Sequence, residues 1–321
     1  MCFVFQKKPL ILSKFRQNLD EKGVLSYHID NKLARWIMLN THVTDCFLGK
    51  ALVVTDGKTE ITVTLDVGPR IIGLRPVGGF NVMYQDVTDS VNHDCSSYYG
   101  EGKKWHIYGG HRLWLSPEDE STYYPDNDPV RYEINDDTVS FYPDNWKKVR
   151  VSPSISVTFN LDGTLSVKHS VTNLGSTRPI CIWALTVMKS GGKMVLPLST
   201  KNTGYLANRN LVMWHYASVK DSRFDLQDDK IILNSSVSVP EPFKFGTLCE
   251  NIRASYELTE NGKTQTFTKI LDADLRCSYP DYSCNFESYC THLIHEMETL
   301  SPIVTLRGGE TLTHTEIWKI E

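Results

Sequence analysis

The stretch SISVTFNLDGTLSVKHSVTN (residues 154–173) alternates apolar and polar side chains with a period of two and breaks once, at Asp162-Gly163. Ile155, Val157, Phe159 and Leu161 share one side of the first arm. Leu165, Val167, His169 and Val171 share one side of the second. A strand sends successive side chains to opposite faces, whereas a helix repeats every 3.6 residues, so this spacing predicts two half-buried strands. Asp-Gly tolerates the positive φ of a tight hairpin turn, so the two arms are expected to pair antiparallel.

The same period recurs outward from this hairpin. In KTEITVTLDV (58–67), Ile61, Val63, Leu65 and Val67 alternate with Thr62, Thr64 and Asp66. A second hairpin is predicted around Asn261-Gly262, with arms near 252–259 and 264–271. Two further strands, HLIHEMETL (292–300) and ETLTHTEIWKI (310–320), are joined through Gly308-Gly309. Turn signals recur about every ten residues and long amphipathic helices are missing, which points to an antiparallel sandwich or barrel. With no fixed repeat and no low-complexity linker, residues 46–321 read as one large all-β domain. Residues 1–45 read as an N-terminal extension, either helical at 9–20 or disordered, with Met38 as an alternative start.

Composition narrows the function classes. The chain has 321 residues, 40% hydrophobic and 22% charged, with a net charge of −4, an ordinary soluble balance. No Lys/Arg block stands out, so neither nucleic acid nor a membrane surface is an expected partner. No apolar run nears the roughly 18 residues of a spanning helix. The eight cysteines form no C-x-x-C pair and are read as buried free thiols in a reducing, cytoplasmic setting. G-x-G-x-x-G, P-loop and G-x-S-x-G motifs are missing, so no cofactor and no serine nucleophile are expected.

Several residues have the types that bind or react. WHIYGGHRLWLSPE (105–118) crowds two tryptophans, two histidines, Arg112 and Glu118 around Gly109-Gly110. The glycines are expected to let backbone approach a ligand closely. Strand alternation sends His111 and Arg112 to opposite sides unless the glycines make a bulge. In 292–300 the same alternation puts His292, Ile294, Glu296 and Glu298 on one face, the two carboxylates about 6.5–7 Å apart. Crowding and burial would suit one of them to proton transfer. His169 lies on the apolar face of its strand, as a core residue or a catalyst. His106 and His111 lack converging ligands, so no metal is predicted.

These stretches together resemble the galactose-mutarotase-like superfamily, which includes the aldose 1-epimerases. DVGPRIIGLRPVGGFNVMY (66–84) resembles its opening strands, and IYGGHRLWLSPE (107–118) its pocket-lining Gly-Gly segment. VTNLGSTRPICIWALTVM (171–188) is similar to its Asn/Pro segment, and EMETLSPIVTLRGGETLTHTEIWKI (296–320) to its closing strands. The chain is most similar to a branch marked by GGHRLW, PE and YYPDN. The resemblance implies a β-supersandwich and a small-molecule carbohydrate as partner, in a monomer or homodimer. It also implies ring opening of a free or modified sugar by a glutamate base and a histidine acid. Glu298 matches the base position, with Glu296 beside it. The family's histidine falls within WALTVM (183–188), which has none, so the acid would be His111 or His169. Arg70, Arg112, Trp114, Glu118 and Trp183 are the implied substrate-binding groups. A non-catalytic carbohydrate-binding protein on the same scaffold is the alternative, and a lyase or hydrolase a third.

Overall fold

The computed structural model describes residues 37–321 and, before them, a short antiparallel pair, Gln17–Leu19 with Leu25–Tyr27. Of the helix predicted for 9–20, residues 17–19 are extended and the rest lies outside the described residues. Residues 37–321 form an all-β unit built on a ten-stranded and an eleven-stranded antiparallel sheet.

Both predicted hairpins are present in the ten-stranded sheet. Val151–Phe159 pairs with Leu165–Asn173 so that Phe159 faces Leu165 and Ile155 faces His169. Asn251–Glu260 pairs with Lys263–Asp272, and Asn261 and Gly262 both take the positive φ that a two-residue hairpin turn demands. Thr311–Ile320 lies between the two hairpins.

The eleven-stranded sheet runs through Phe243–Thr247, Phe286–Cys290, Ile294–Leu300, Arg178–Lys189, Gly110–Ser116 and Ile71–Pro76 in that lateral order. Its edge strand, Asn40–Cys46, lies almost wholly within residues 1–45, the stretch expected to be an extension outside the fold. It pairs along its length with Gly49–Thr55. Its residues are mostly exposed, so it carries no apolar stripe to betray it.

One apolar core joins the sheets. Leu113, Ile182, Met188 and Met297 of the eleven-stranded sheet pack with Val157, Val167, Phe267 and Trp318 of the other. The eleven-stranded sheet carries a second apolar cluster on its other face, including Trp105, Trp114, Trp183, Leu185, Ile294 and Leu300. Its central strands are therefore covered on both sides, and Gly110–Ser116 and Ile294–Leu300 are buried at every residue. Burial on both faces removes the simple inside-outside alternation of polarity and leaves polar groups that need partners within the protein.

Gly109 and Gly110 serve this packing. At φ +92° and +64°, a Cβ would stand 2.2 Å from the carbonyl oxygens of Tyr84 and Ile71 respectively. The close approach predicted for a ligand is made instead by neighbouring backbone.

Candidate functional site

Strand parity divides the candidate residues between two faces. Along Gly110–Ser116, His111, Leu113 and Leu115 point into the sandwich, while Arg112 and Trp114 point to the outer face. Cross-strand register then assembles rows on that outer face. Trp114 lies opposite Trp183, and Arg112 opposite Leu185. Leu185 lies opposite Glu298, which lies opposite Glu287. Val187, Glu296, Tyr289 and Lys244 form the adjacent row.

A cavity of about 470 Å³ opens over these rows, lined among others by Trp114, Trp183, Trp214, Lys244, Glu118 and Glu296. Its size falls in the roughly 300–1,000 Å³ of small-molecule sites. The indoles of Trp114 and Trp183 stack at 4.9 Å and 11°, and Trp105 stacks on Trp114 at 5.0 Å. A larger open groove of about 610 Å³ adjoins residues 197–209 and 247–253. Two of its cations are already engaged, Arg209 by the Ser199 carbonyl and Arg253 by Asp272.

The ionisable groups at the cavity form a layered set. The Lys244 ammonium sits 2.7 Å from Glu287 and 3.1 Å from Glu298, and 4.8 and 4.5 Å from the ring centres of Trp183 and Trp214. Burial alone would lower its pKa, but Glu298 and Glu287 outweigh it and hold the lysine well above its ordinary value. Burial pushes the Glu287 carboxyl up to about 8, against the pull of Lys244. Glu298 is fully buried; its Oε2 accepts from Trp183 Nε1 at 2.8 Å and from Lys244, while its Oε1 has no partner among the described residues.

Glu296 stands apart. It is 9% exposed and lines the cavity, and no described residue hydrogen-bonds its carboxyl. Burial, then the charge of Glu298, raises it well above the usual carboxylate range. Glu118 also lines the cavity and accepts from the Tyr123 hydroxyl.

The other candidates lie elsewhere. Arg112 is buried behind the indoles, its guanidinium 5.0 and 4.8 Å from the ring centres of Trp105 and Trp114 and 3.6 Å from Asp126. Burial and the nearby Arg70 lower its pKa to about 9. Arg70 is spent on a two-pronged pair with Asp126, both contacts 2.8 Å, away from the cavity.

His111 and His169 occupy the sandwich interior and do not reach the cavity. The alternation that put Arg112 on the outer face put His111 on the inner one, with no bulge to reverse it. Their hydrogen bonds fix the tautomers by elimination. Thr186 Oγ1 donates to His111 Nδ1 at 2.8 Å. His111 Nε2–H donates to His169 Nε2 at 2.6 Å, and His169 Nδ1–H to the His314 carbonyl at 3.0 Å. His314 Nε2–H donates to Thr299 Oγ1 at 2.7 Å, and Thr299 donates to Glu316. Lys269 donates to Glu316, Ala184 O and Met297 O. Burial lowers all three histidines, His111 well below its ordinary value and His314 to about 3.

Donor atoms of His111, His169 and Glu316 lie within 4.8 Å of one another, a set that zinc favours elsewhere. Here each is engaged in the hydrogen-bond chain, and the Lys269 ammonium 2.8 Å from Glu316 opposes a second cation. The set reads as a structural polar chain between the sheets.

Sequence reasoning missed Lys244, Glu287 and Trp214. A signal existed for the first: Lys244 lies between Phe243 and Phe245, both core residues, so parity sends it to the outer face.

No family model and no curated protein matches this sequence. Solved structures do share its fold. A TPR-domain-containing protein from Parabacteroides distasonis matches with a TM-score of 0.55 at 15% identity, over 84% of this chain and 47% of that one. The chain thus spans about half the length of that relative. A candidate aldose 1-epimerase from Klebsiella pneumoniae matches with a TM-score of 0.52 at 12% identity, over 84% of this chain and 79% of that one. At these identities the likeness is one of fold, an all-β antiparallel sandwich that the aldose 1-epimerase candidate shares.

Proposed function

We propose that this chain binds a free or modified sugar in the tryptophan-walled cavity. The observation that carries this reading is the pairing of stacked indoles with one partnerless carboxyl, Glu296, at the same cavity. A sugar offers apolar C–H faces and hydroxyls, which such a site matches. Trp114 and Trp183 supply the apolar wall. Glu296, Glu118 and the lysine ammonium supply polar contacts. No cofactor is invoked, and a monomer or homodimer in the cytoplasm remains the expected setting.

A second reading is an aldose-1-epimerase-like isomerase. It is favoured by two glutamates on one strand face beside a lysine ammonium. Glu296 or Glu298 would take the proton from the anomeric hydroxyl. The acid that protonates the ring oxygen would be Lys244 or His292, the lysine and the histidine that line the cavity. His111 and His169 are separated from it by the sheet.

Sugar titrations followed by tryptophan fluorescence, with anomer exchange by NMR on the same panel, test both readings. Binding that weakens about tenfold in Trp114→Ala, the factor carried by about 1.4 kcal/mol, supports the first. Exchange above the buffer rate that falls in Glu296→Gln adds the second. A panel in which no sugar binds or exchanges refutes both.

A further inference from the structure

We propose that the ligand of this cavity carries an ammonium group, so that it is an amino sugar rather than a neutral or anionic one. The inference rests on the sugar reading above and specifies its substrate class. Glu118, Glu287, Glu296 and Glu298 stand at or directly beneath the cavity, against Lys244 and, behind the indoles, Arg112. Carboxyls outnumber cations. The lining lysine, moreover, is already held by two of them, at 2.7 and 3.1 Å, and has little charge to offer an anion.

Among these carboxyls, Glu296 is the one that faces the cavity with neither oxygen bonded to a described residue. It is nine-tenths buried, faces the cavity and lacks a partner among the described residues. Its oxygens open on the cavity, where a donor has to come from water or from a ligand. An ammonium supplies up to three N–H donors and a positive charge. If the Glu296 carboxyl is protonated before binding, it gives up that proton to solvent as the ammonium becomes its donor, so charge and protons balance. The walls suit the same cation. The protein's own ammonium, Lys244, already lies against Trp183 and Trp214, so an aromatic wall beside a cation is a feature of this cavity. Tyr123, Tyr216 and Tyr289 continue the aromatic lining.

The test compares 2-amino-2-deoxyglucose, glucose, glucuronate and glucose 6-phosphate with the full chain, by calorimetry at a pH where the amine is protonated. The amino sugar is expected to bind about tenfold or more tighter than glucose, with glucuronate and the phosphate weakest. Titration in buffers of different ionisation enthalpy is expected to show proton release for the amine alone. In Glu296→Gln, with folding checked by its unfolding midpoint, the ratio of amine to glucose affinity is expected to fall towards one. An acidic sugar that binds as tightly as the amine overturns the proposal, as does an amine preference that survives Glu296→Gln. Glucose binding without an amine gain overturns it while leaving the sugar reading standing. If nothing in the panel binds, both fail together.

Discussion

Lys269→Met should expose how much the interior polar chain costs when it is broken. Lys269 is fully buried, and its ammonium donates to Glu316 at 2.8 Å, Met297 O at 2.8 Å and Ala184 O at 3.1 Å. All three N–H groups are used, and two of them cross from one sheet to the other. Methionine has nearly the same length but no donor. It leaves the Glu316 carboxylate in the core with only Thr299 and Trp318 as donors. Removing one partner of a buried pair costs about 3–5 kcal/mol, because the remaining charge keeps its desolvation penalty. That is a large part of the roughly 5–15 kcal/mol that holds a typical domain folded. Lys269→Met/Glu316→Gln removes both charges and keeps a carbonyl oxygen for the Trp318 N–H. The double variant should therefore be about 2 kcal/mol or more stabler than Lys269→Met alone. Urea unfolding followed by circular dichroism reads both values, with an unchanged denaturant slope confirming that only stability moved. A double variant no more stable than Lys269→Met would refute the reasoning, since the orphaned carboxylate would then not be the source of the loss.

Gly110→Ala should destabilise the fold by several kcal/mol without touching a cavity group, because its Cβ meets the Ile71 carbonyl oxygen at 2.2 Å and its φ is +64°. A melting temperature within about 1 °C of the parent would contradict that; shifts of about 2–4 °C per kcal/mol are expected for domains of roughly this size. Stability should also peak near pH 6.5 and fall on either side. His111, His169, His295 and His314 are buried with lowered pKa, the last two to about 3, so below pH 6.5 the unfolded chain binds protons that the native state refuses. Glu287, raised to about 8, and Glu296 act with the opposite sign, holding protons in the native state that the unfolded chain gives up as pH rises. The four histidines outnumber the two glutamates, so stability should rise with pH from about 5 to 6.5, and urea midpoints that stay flat over that range would show that these histidines charge in place.

The fold was legible because its signals are local. Asp162-Gly163 and Asn261-Gly262 each set a turn, and a turn of fixed length sets the register of both arms. The parity within Ile294–Leu300 was legible too: Ile294 and Glu296 line the cavity, while Met297 packs in the core between the sheets. What could not be read was convergence. Lys244, Glu287 and Glu298 sit on three strands brought together by cross-strand register, and no spacing within any one of them announces the contact. Asn40–Cys46 escaped because an exposed edge strand needs no apolar face. The Gly pair was legible as a constraint on backbone but not as to what approaches it.

The cavity and the interior chain are two faces of the same strands, and that placement ties them mechanically. Ala184 follows Trp183, and Met297 lies between Glu296 and Glu298. Their carbonyls are the two that Lys269 draws towards the second sheet. Thr186, which ends the chain, and Thr299, which links His314 to Glu316, alternate with Leu185 and Glu298 along the same strands. The bond from Lys269 to Met297 O anchors from behind the strand that carries Glu296 and Glu298. The histidines singled out by their chemistry thus lie across the sheet from the cavity, in the polar chain behind the strands on which Trp183, Glu296 and Glu298 are displayed.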